Sequence, residues 1–151
     1  MTDTTSMTTR TPWHLWVVGV VSLLWNAYGG YDFVMSMTQR ETYWRASGMN
    51  DAMITYYNAM PTWMYVPWVL GVWGAVAGSI LLLLRSRLAV PAFALSLVGA
   101  VVSLLYGQFI DKAPAPPPEL AAMGYMPYVI AVIAAGLAWY AWTMSKKGVL
   151  R

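Results

Sequence analysis

The sequence predicts an all-α membrane protein, a bundle of four transmembrane helices with a short amphipathic helix in the first extracytoplasmic loop. Of its 151 residues, 59% are apolar and 10% are charged, whereas a soluble domain is about half apolar and about a quarter charged. Four apolar stretches reach the about 20 residues that a helix needs to cross a bilayer. Only a helix satisfies all its backbone hydrogen bonds within one segment in hydrocarbon. The absence of cysteine excludes a disulfide scaffold.

The first 37 residues are predicted to form a cytoplasmic tail (residues 1–11) and the first span (residues 12–37). A second interpretation of this span stays open. Arg10 and His14 precede an apolar run, and Ala27-Tyr28-Gly29 could be a cleavage site, so the span could be a signal peptide. Apolar residues continue beyond that site to Met35, which favours a retained helix.

The next segment is an extracytoplasmic loop (residues 38–61) with a helical pattern of its own. Met49 and Met53 recur at helical spacing, Ser47 or Asn50 could cap the start of a helix, and Pro61 marks its end. Such a helix would lie on the membrane surface or cover the bundle as a lid. Methionine and aromatic residues are concentrated on this outer side, which predicts an adaptable apolar surface in preference to a copper site.

The remaining elements alternate between spans and short connections. They are a second span (62–84), a cytoplasmic turn (85–87), a third span (88–110), a proline-rich extracytoplasmic loop (111–124), a fourth span (125–145) and a basic cytoplasmic tail (146–151). The three-residue turn makes the second and third spans antiparallel neighbours. Clustered prolines prevent a helix in the second extracytoplasmic loop and favour an extended path.

Positive charge predicts the orientation of the spans, because cytoplasmic flanks retain Lys and Arg. With the N-terminus inside, six basic residues lie on the inner side and three on the outer side. The inner residues are Arg10, Arg85, Arg87, Lys146, Lys147 and Arg151. We therefore expect a multi-pass protein of the bacterial inner (plasma) membrane with both termini in the cytoplasm. Its basic rim is expected to face lipid headgroups, and no nucleic-acid partner is predicted.

Polar and small residues within the spans suggest how the helices meet. Polar groups in a span are costly and indicate candidate functional sites. If the first and third spans pack side by side, one outward-opening polar cleft would contain Asn26, Asp32, Gln108 and Asp111. The aspartates could instead form interfacial ion pairs, and Asn26 could form an interhelical hydrogen bond. Gly74-x-x-x-Gly78 could form a dimer interface, although small residues also allow close packing inside the bundle.

Two tryptophans, Trp25 and Trp73, are predicted to lie deep in the membrane. They are candidate aromatic contacts for a flat apolar or sugar-like ligand, or they pack in the core. The chain has no phosphate loop, no Ser/His/Asp set and no metal-ligand cluster. We therefore expect no enzyme activity, no cofactor and no metal site, and an enzyme acting on a lipid or quinone is the least favoured hypothesis.

Motifs over nearly the whole chain are similar to those of one protein family. They are Pro12-Trp13-His14-Leu15-Trp16-Val17-Val18-Gly19, Leu24-Trp25-Asn26-Ala27, Tyr31-Asp32, Trp68-Val69-Leu70-Gly71-Val72-Trp73-Gly74, Gly78-Ser79-Ile80-Leu81-Leu82-Leu83-Leu84-Arg85-Ser86-Arg87 and Gly148-Val149-Leu150-Arg151. The chain resembles small uncharacterised bacterial inner-membrane proteins with four helices, which often carry the automatic label of sugar transporter. The resemblance makes Asn26, Asp32 and the tryptophans family-typical residues.

Two functional hypotheses follow. The first is an accessory or structural membrane protein of unknown molecular activity. It would bind lipid or a membrane protein partner, in a complex or a homo-oligomer, through its methionine- and aromatic-rich outer side. The second is a small transporter or transport subunit for a small solute, which would use the polar cleft between the first and third spans.

Overall fold

The computed structural model describes residues 9–151, and the regular elements in that range are helical. The first eight residues of the predicted cytoplasmic tail lie outside the described range. The α-helices are α1 (Trp13–Thr38), α2 (Glu41–Ala46), α3 (Asp51–Asn58), α4 (Tyr65–Leu83), α5 (Ala89–Leu105) and α6 (Met126–Lys146). Shorter turns are the 3-10 helices Thr62–Met64 and Pro118–Gly124 and the π-helix Tyr106–Ile110, which continues α5.

Three helical segments are long and apolar enough to cross a membrane. They are Thr62–Leu83, Ala89–Ile110 and Pro118–Lys146, and they contain α4, α5 and α6. The helix α1 has 26 residues, but His14, Asn26 and Asp32 keep its hydropathy below that of these three segments. The predicted all-helical fold is therefore confirmed for residues 9–151, and three of its segments, not the four predicted, are candidate membrane spans by length and composition.

The long helices pack in the order of the chain. The helix α1 packs along α4, α4 packs along α5, and α5 packs along α6. The turn between α4 and α5 is short enough to keep these helices antiparallel, as the sequence predicts, and their contact is the most extensive of the three. The helix α1 is thus a neighbour of α4 rather than of α5.

The best-buried region lies at the end of the bundle where α4 turns into α5 and where α6 ends. Side chains of all four long helices meet there, together with residues that follow α6. The members of this core are Leu15, Leu82, Ala89, Phe93, Leu137, Ala141, Met144, Val149 and Leu150. We call this end the core end.

Glycines bring the backbones of α4 and α5 into direct contact. A Cβ atom added at Gly99 would lie 2.5 Å from the backbone nitrogen of Gly71, and one at Gly74 would lie 3.1 Å from the carbonyl oxygen of Ala92. A Cβ atom at Gly78 would lie 2.7 Å from the ring of Phe93. The Gly74 and Gly78 pair therefore packs inside the bundle, as small residues allow, and not at a dimer interface.

The first loop contains two helices rather than the single helix that was predicted. The helix α3 follows Asn50, whose side chain accepts a hydrogen bond from the backbone nitrogen of Met53 at 3.0 Å, so the predicted N-cap is confirmed. The helix α2 was missed because six residues are too few to show a periodic pattern. It ends at Ala46, and the chain turns at Gly48, whose φ of 88° suits glycine. We call residues 39–60, which include α2 and α3, the cap.

The second outer loop and the basic tail also differ from their predictions. Part of the proline-rich loop forms the 3-10 helix, because a proline at a helix start loses no hydrogen bond. The predicted cytoplasmic tail does not extend into solvent, since Val149 and Leu150 are buried in the core. Gly148 has a φ of 73°, and the Val149 nitrogen donates to the Met144 carbonyl at 3.0 Å. This helix-ending motif turns the chain back into the bundle.

Substitution of Gly99 tests the close contact between α4 and α5. We expect Gly99→Ala to destabilise the protein by about 1–3 kcal/mol, because the added methyl group overlaps the backbone of α4. The measurement is the midpoint of thermal unfolding in a mild detergent. Gly136→Ala is the matched control, since a Cβ atom at Gly136 in α6 meets nothing within 4 Å. Equal midpoints for the two variants would contradict the contact.

Candidate functional site

Asn26 lies between α1 and α4 and joins these two helices. Its side-chain nitrogen donates to the hydroxyl oxygen of Ser79 at 2.8 Å and to the carbonyl oxygen of Ala75 at 3.2 Å. The Ser79 hydroxyl in turn donates to the same Ala75 carbonyl at 3.0 Å. Both Asn26 and Ser79 are buried. Asn26 therefore forms an interhelical hydrogen bond, which is one of the two roles that the sequence allowed.

The four residues of the predicted polar cleft are not brought together. The cleft required α1 and α5 to pack side by side, but α1 packs along α4, so Asn26 faces α4 instead. The helix order follows from the short turn and the glycine contacts, which pair α4 with α5 and leave the other face of α4 for α1. Gln108 is half-buried in the π-helical turn that ends α5.

Asp32 and Asp111 lie at the end of the bundle that carries the cap, and tyrosines bind both of them. The Tyr43 hydroxyl in α2 donates to Oδ1 of Asp32 at 2.8 Å. The Tyr56 hydroxyl in α3 donates to the backbone carbonyl of Asp111 at 3.1 Å, and the Tyr106 hydroxyl donates to Oδ2 of Asp111 at 3.4 Å. The cap therefore contacts the ends of both α1 and α5.

Aromatic rings fix the cap on the bundle. Trp44 of α2 is buried, and its Nε1 donates to the hydroxyl of Ser36 in α1 at 3.1 Å. The Tyr57 ring packs on Trp44 with 5.5 Å between centroids, and the neighbouring Tyr56 ring meets Tyr57 edge-on at 5.6 Å. Through these contacts α3 extends from the side of α1 to Asp111 at the end of α5.

The tyrosines of the cap are held in their neutral form. Burial raises the pKa of Tyr43 to about 12, and the hydrogen-bonded carboxylate of Asp32 adds to the increase. Burial and then the charge of Asp111 raise the pKa of Tyr56 to about 12. Burial and the charge of Asp32 also raise the pKa of Tyr57. At neutral pH these phenols keep their protons, and Tyr43 donates to the Asp32 carboxylate while Tyr56 donates to the backbone carbonyl of Asp111.

The ion pairs of the cap do not involve either aspartate of the predicted cleft. Arg45 pairs with Glu41 at 2.8 Å within α2 and with Asp51 at 2.9 Å across to α3. All three side chains are largely exposed, and exposed ion pairs contribute little to stability. These pairs help to set α2 against α3. Tyrosines therefore replace the ion pairs that the sequence had suggested for Asp32 and Asp111.

The two candidate tryptophans lie on different sides of α1. Trp73 of α4 packs against Phe33 of α1 with 6.0 Å between ring centroids, and its ring lies over Gly30. Trp25 borders an apolar groove of about 370 Å³ between α1 and α6. Its other lining residues are Val17, Val18, Val21, Ser22, Ile133 and Leu137. The tryptophans therefore do not share a ligand site.

A second apolar groove, of about 430 Å³, lies between α4 and α5 on the side of the bundle. Its lining residues are Trp63, Val66, Pro67, Leu70, Val98, Gly99 and Val102. Both grooves are open surfaces, and nearly all their lining groups are apolar. They suit an acyl chain or an apolar helix better than a polar solute.

Sequence analysis missed Tyr43 and Ser79. Tyr43 lies in α2, which was not predicted. Ser79 is the single serine of the second span, and Asn26 is the single amide of the first span up to residue 37. An amide deep in one span and a serine deep in another are a signal that the two pair, because the Asn26 amide finds no water in hydrocarbon.

The comparisons with known proteins leave the site to be interpreted from its own geometry. No protein-family model, curated protein or solved structure matches the chain. The resemblance to small inner-membrane proteins therefore stays a prediction. The candidate sites are therefore two: the tyrosine-bound aspartates at the cap end, and the apolar grooves along the sides of the bundle.

Titration of Tyr43 tests the cap end. The stability that this phenol contributes is complete below its unfolded pKa of 10.0 and is lost as the pH rises through its folded pKa of about 12. We expect Asp32→Asn to lower the pKa of Tyr43 by part of this shift, because burial remains. Spectrophotometric titration, with Tyr43→Phe to identify the component, provides the measurement.

Asp51→Asn is the control for this titration, since Asp51 is exposed and pairs with Arg45. Its curve should coincide with that of the unsubstituted protein. A Tyr43 component that does not move in Asp32→Asn would contradict the hydrogen bond between the two residues.

Proposed function

We propose that the protein is a four-span protein of the bacterial inner membrane in which α1 is the additional span and both termini are cytoplasmic. At about 1.5 Å per residue, the 26 residues of α1 extend about 39 Å, which exceeds the about 30 Å of a hydrocarbon core. Val17, Val21 and Leu24 are exposed along this helix. Packing along α4 further supports a membrane position for α1.

Within the membrane, the proposed role is that of an accessory or structural protein that binds lipid or a membrane protein partner. The observation that carries this proposal is the pair of apolar grooves on the sides of the bundle. A side groove between helices meets lipid or another transmembrane helix, not an aqueous solute. The aromatic cap adds a rigid surface at the outer end, where tryptophan and tyrosine are favoured at the membrane boundary.

The interior of the bundle also favours an accessory role over transport. Among residues 9–151, every buried side-chain nitrogen or oxygen has a hydrogen-bond partner. Val149 and Leu150 fill the core end between the helices. A solute path along the bundle axis needs polar groups that can exchange protein partners for solute, and it needs an opening at this end.

A transporter or transport subunit is the second candidate, and the position of Asp32 and Asp111 supports it. Both lie at the cap end, where Tyr43 of α2 donates to Asp32 and Tyr56 of α3 donates to the backbone carbonyl of Asp111. In this role the exposed Asp111 and the half-buried Asp32 would bind the solute at the cap end. It predicts that Asp32→Asn abolishes pH-driven sugar uptake into proteoliposomes. Unchanged uptake in that variant, or no uptake with the unsubstituted protein, would contradict transport.

Co-purification from native membranes tests the accessory role. We expect the protein in mild detergent to retain a defined membrane protein partner or bound lipid, detected by native mass spectrometry. Val21→Trp and Val98→Trp each fill one groove, and one of them should remove most of the bound species.

Val132→Trp is the matched control for these substitutions. Val132 is exposed on α6 and lines neither groove, so this variant should keep the bound species. A monodisperse protein without partner or lipid, or equal retention in all three variants, would contradict the role of the grooves.

A further inference from the structure

At the core end, the turn between α4 and α5 is hydrogen-bonded to the segment that follows α6. The Arg151 nitrogen donates to the Arg85 carbonyl at 2.7 Å, and the Arg87 nitrogen donates to the Arg151 carbonyl at 2.9 Å. Two guanidinium groups reinforce this pairing, since Nε of Arg85 donates to the Val149 carbonyl at 3.3 Å and Nε of Arg87 donates to the Leu150 carbonyl at 3.2 Å. We call residues 85–87 and 148–151 the clasp.

Arg85 occupies a backbone position that ordinarily favours glycine. Its φ is 58°, a left-handed conformation that is strained for an L-residue. The equivalent helix ends after α2 and α6 use Gly48 and Gly148. From this position the Arg85 side chain reaches the segment after α6, and the bond from Nε to Val149 occupies only one of its five N–H groups.

The Nε hydrogen bonds hold both guanidinium groups in place, and within residues 9–151 the side-chain hydrogen bonds of Arg85 and Arg87 use Nε and not the terminal nitrogens. Within the described residues, the ion pairs join Arg45 to Glu41 and Asp51, and they include neither Arg85 nor Arg87. A guanidinium fork that is fixed beforehand loses little entropy on binding and fits a phosphate group with two parallel hydrogen bonds.

The charge around the clasp favours an anion. Arg10, Lys146 and Lys147 lie near the same end of the bundle. The acidic residues of the described chain lie toward the opposite end, in or near the two outer loops. They are Asp32, Glu41, Asp51, Asp111 and Glu119. The clasp is therefore a concentration of basic side chains, and the Asp and Glu side chains of residues 9–151 lie toward the other end of the bundle.

Apolar neighbours identify the source of the anion as a lipid. Leu84 and Leu88 flank the two arginines in sequence, and both leucines are exposed. Trp142 is also exposed near the end of α6, and Lys146 Nζ lies 4.3 Å from its ring centroid. A free phosphate ion gains nothing from exposed leucines, whereas the acyl chains of a phospholipid cover them.

We propose that the clasp binds the phosphate group of an anionic phospholipid. The terminal guanidinium nitrogens of Arg85 and Arg87 would bind the phosphate, and the acyl chains of the lipid would cover Leu84 and Leu88. The inference rests on the proposed membrane location. It adds a specific ligand class at the core end to the general lipid contact of the grooves. Binding at Arg85 and Arg87 also stabilises the clasp, because the lipid holds the side chains that bind the segment after α6.

Competition between lipids tests this site. The protein is mixed in detergent with equal amounts of phosphatidylglycerol and phosphatidylcholine, and native mass spectrometry counts the bound lipids. We expect a preference for phosphatidylglycerol of roughly thirtyfold, the effect of two basic residues at an anionic surface. Arg85→Gln with Arg87→Gln should abolish this preference. Lys112→Gln, an exposed basic residue at the cap end, should keep it.

Further variants and ligands separate the possible outcomes. Arg87→Gln alone keeps Arg85 in place and should lower the preference severalfold, so a double variant that fails to fold does not end the test. Displacement of the lipid by millimolar inorganic phosphate would overturn the lipid as ligand. Lipid bound without headgroup preference would overturn this site alone, whereas a protein that carries no lipid or partner would also contradict the proposed function.

Discussion

Each polar group within the bundle depends on a partner in the same chain, because hydrocarbon provides none. The Asn26 amide has Ser79 and the Ala75 carbonyl. The Ser96 hydroxyl of α5 donates to the Gly71 carbonyl of α4 at 2.7 Å, and this bond is short because glycines bring the two backbones together. These contacts set the order of the helices, and the order decides which faces remain apolar and meet the surroundings.

The two ends of the bundle have opposite chemistry. At the cap end, aspartates are bound by phenols whose pKa values are raised, as for Tyr43 and Tyr56. At the core end, Arg85 and Arg87 bind main-chain carbonyls of the segment after α6. This separation of acidic and basic groups supports a fixed orientation across the membrane, with the clasp on the cytoplasmic side. In the proposed orientation, the cap and the clasp would face different lipid leaflets.

Features that depend on local pattern could be predicted from the sequence, and features that depend on distant contacts could not. The apolar spans and the Asn50 cap follow from residues within a few positions of each other. The partner of Asn26 depends on helix order, which is decided by glycine contacts between other helices. Leu150 is buried beside Arg87, which is 63 residues away and bonds its carbonyl. The charged residues that flank Leu150 in sequence predict exposure instead. The helix α2 is too short for its pattern to be detected.

The most direct test concerns α1, because the proposed four-span bundle requires this helix to cross the membrane. The chain has no cysteine, so single cysteines can be introduced without background. Leu24 is 68% exposed on α1, and Asp51 is exposed in the cap. In intact membrane vesicles with the outer face accessible, we expect Leu24→Cys to resist a membrane-impermeant maleimide until denaturation, and Asp51→Cys to react at once. Equal labelling of the two variants in intact membranes would contradict a membrane-spanning α1.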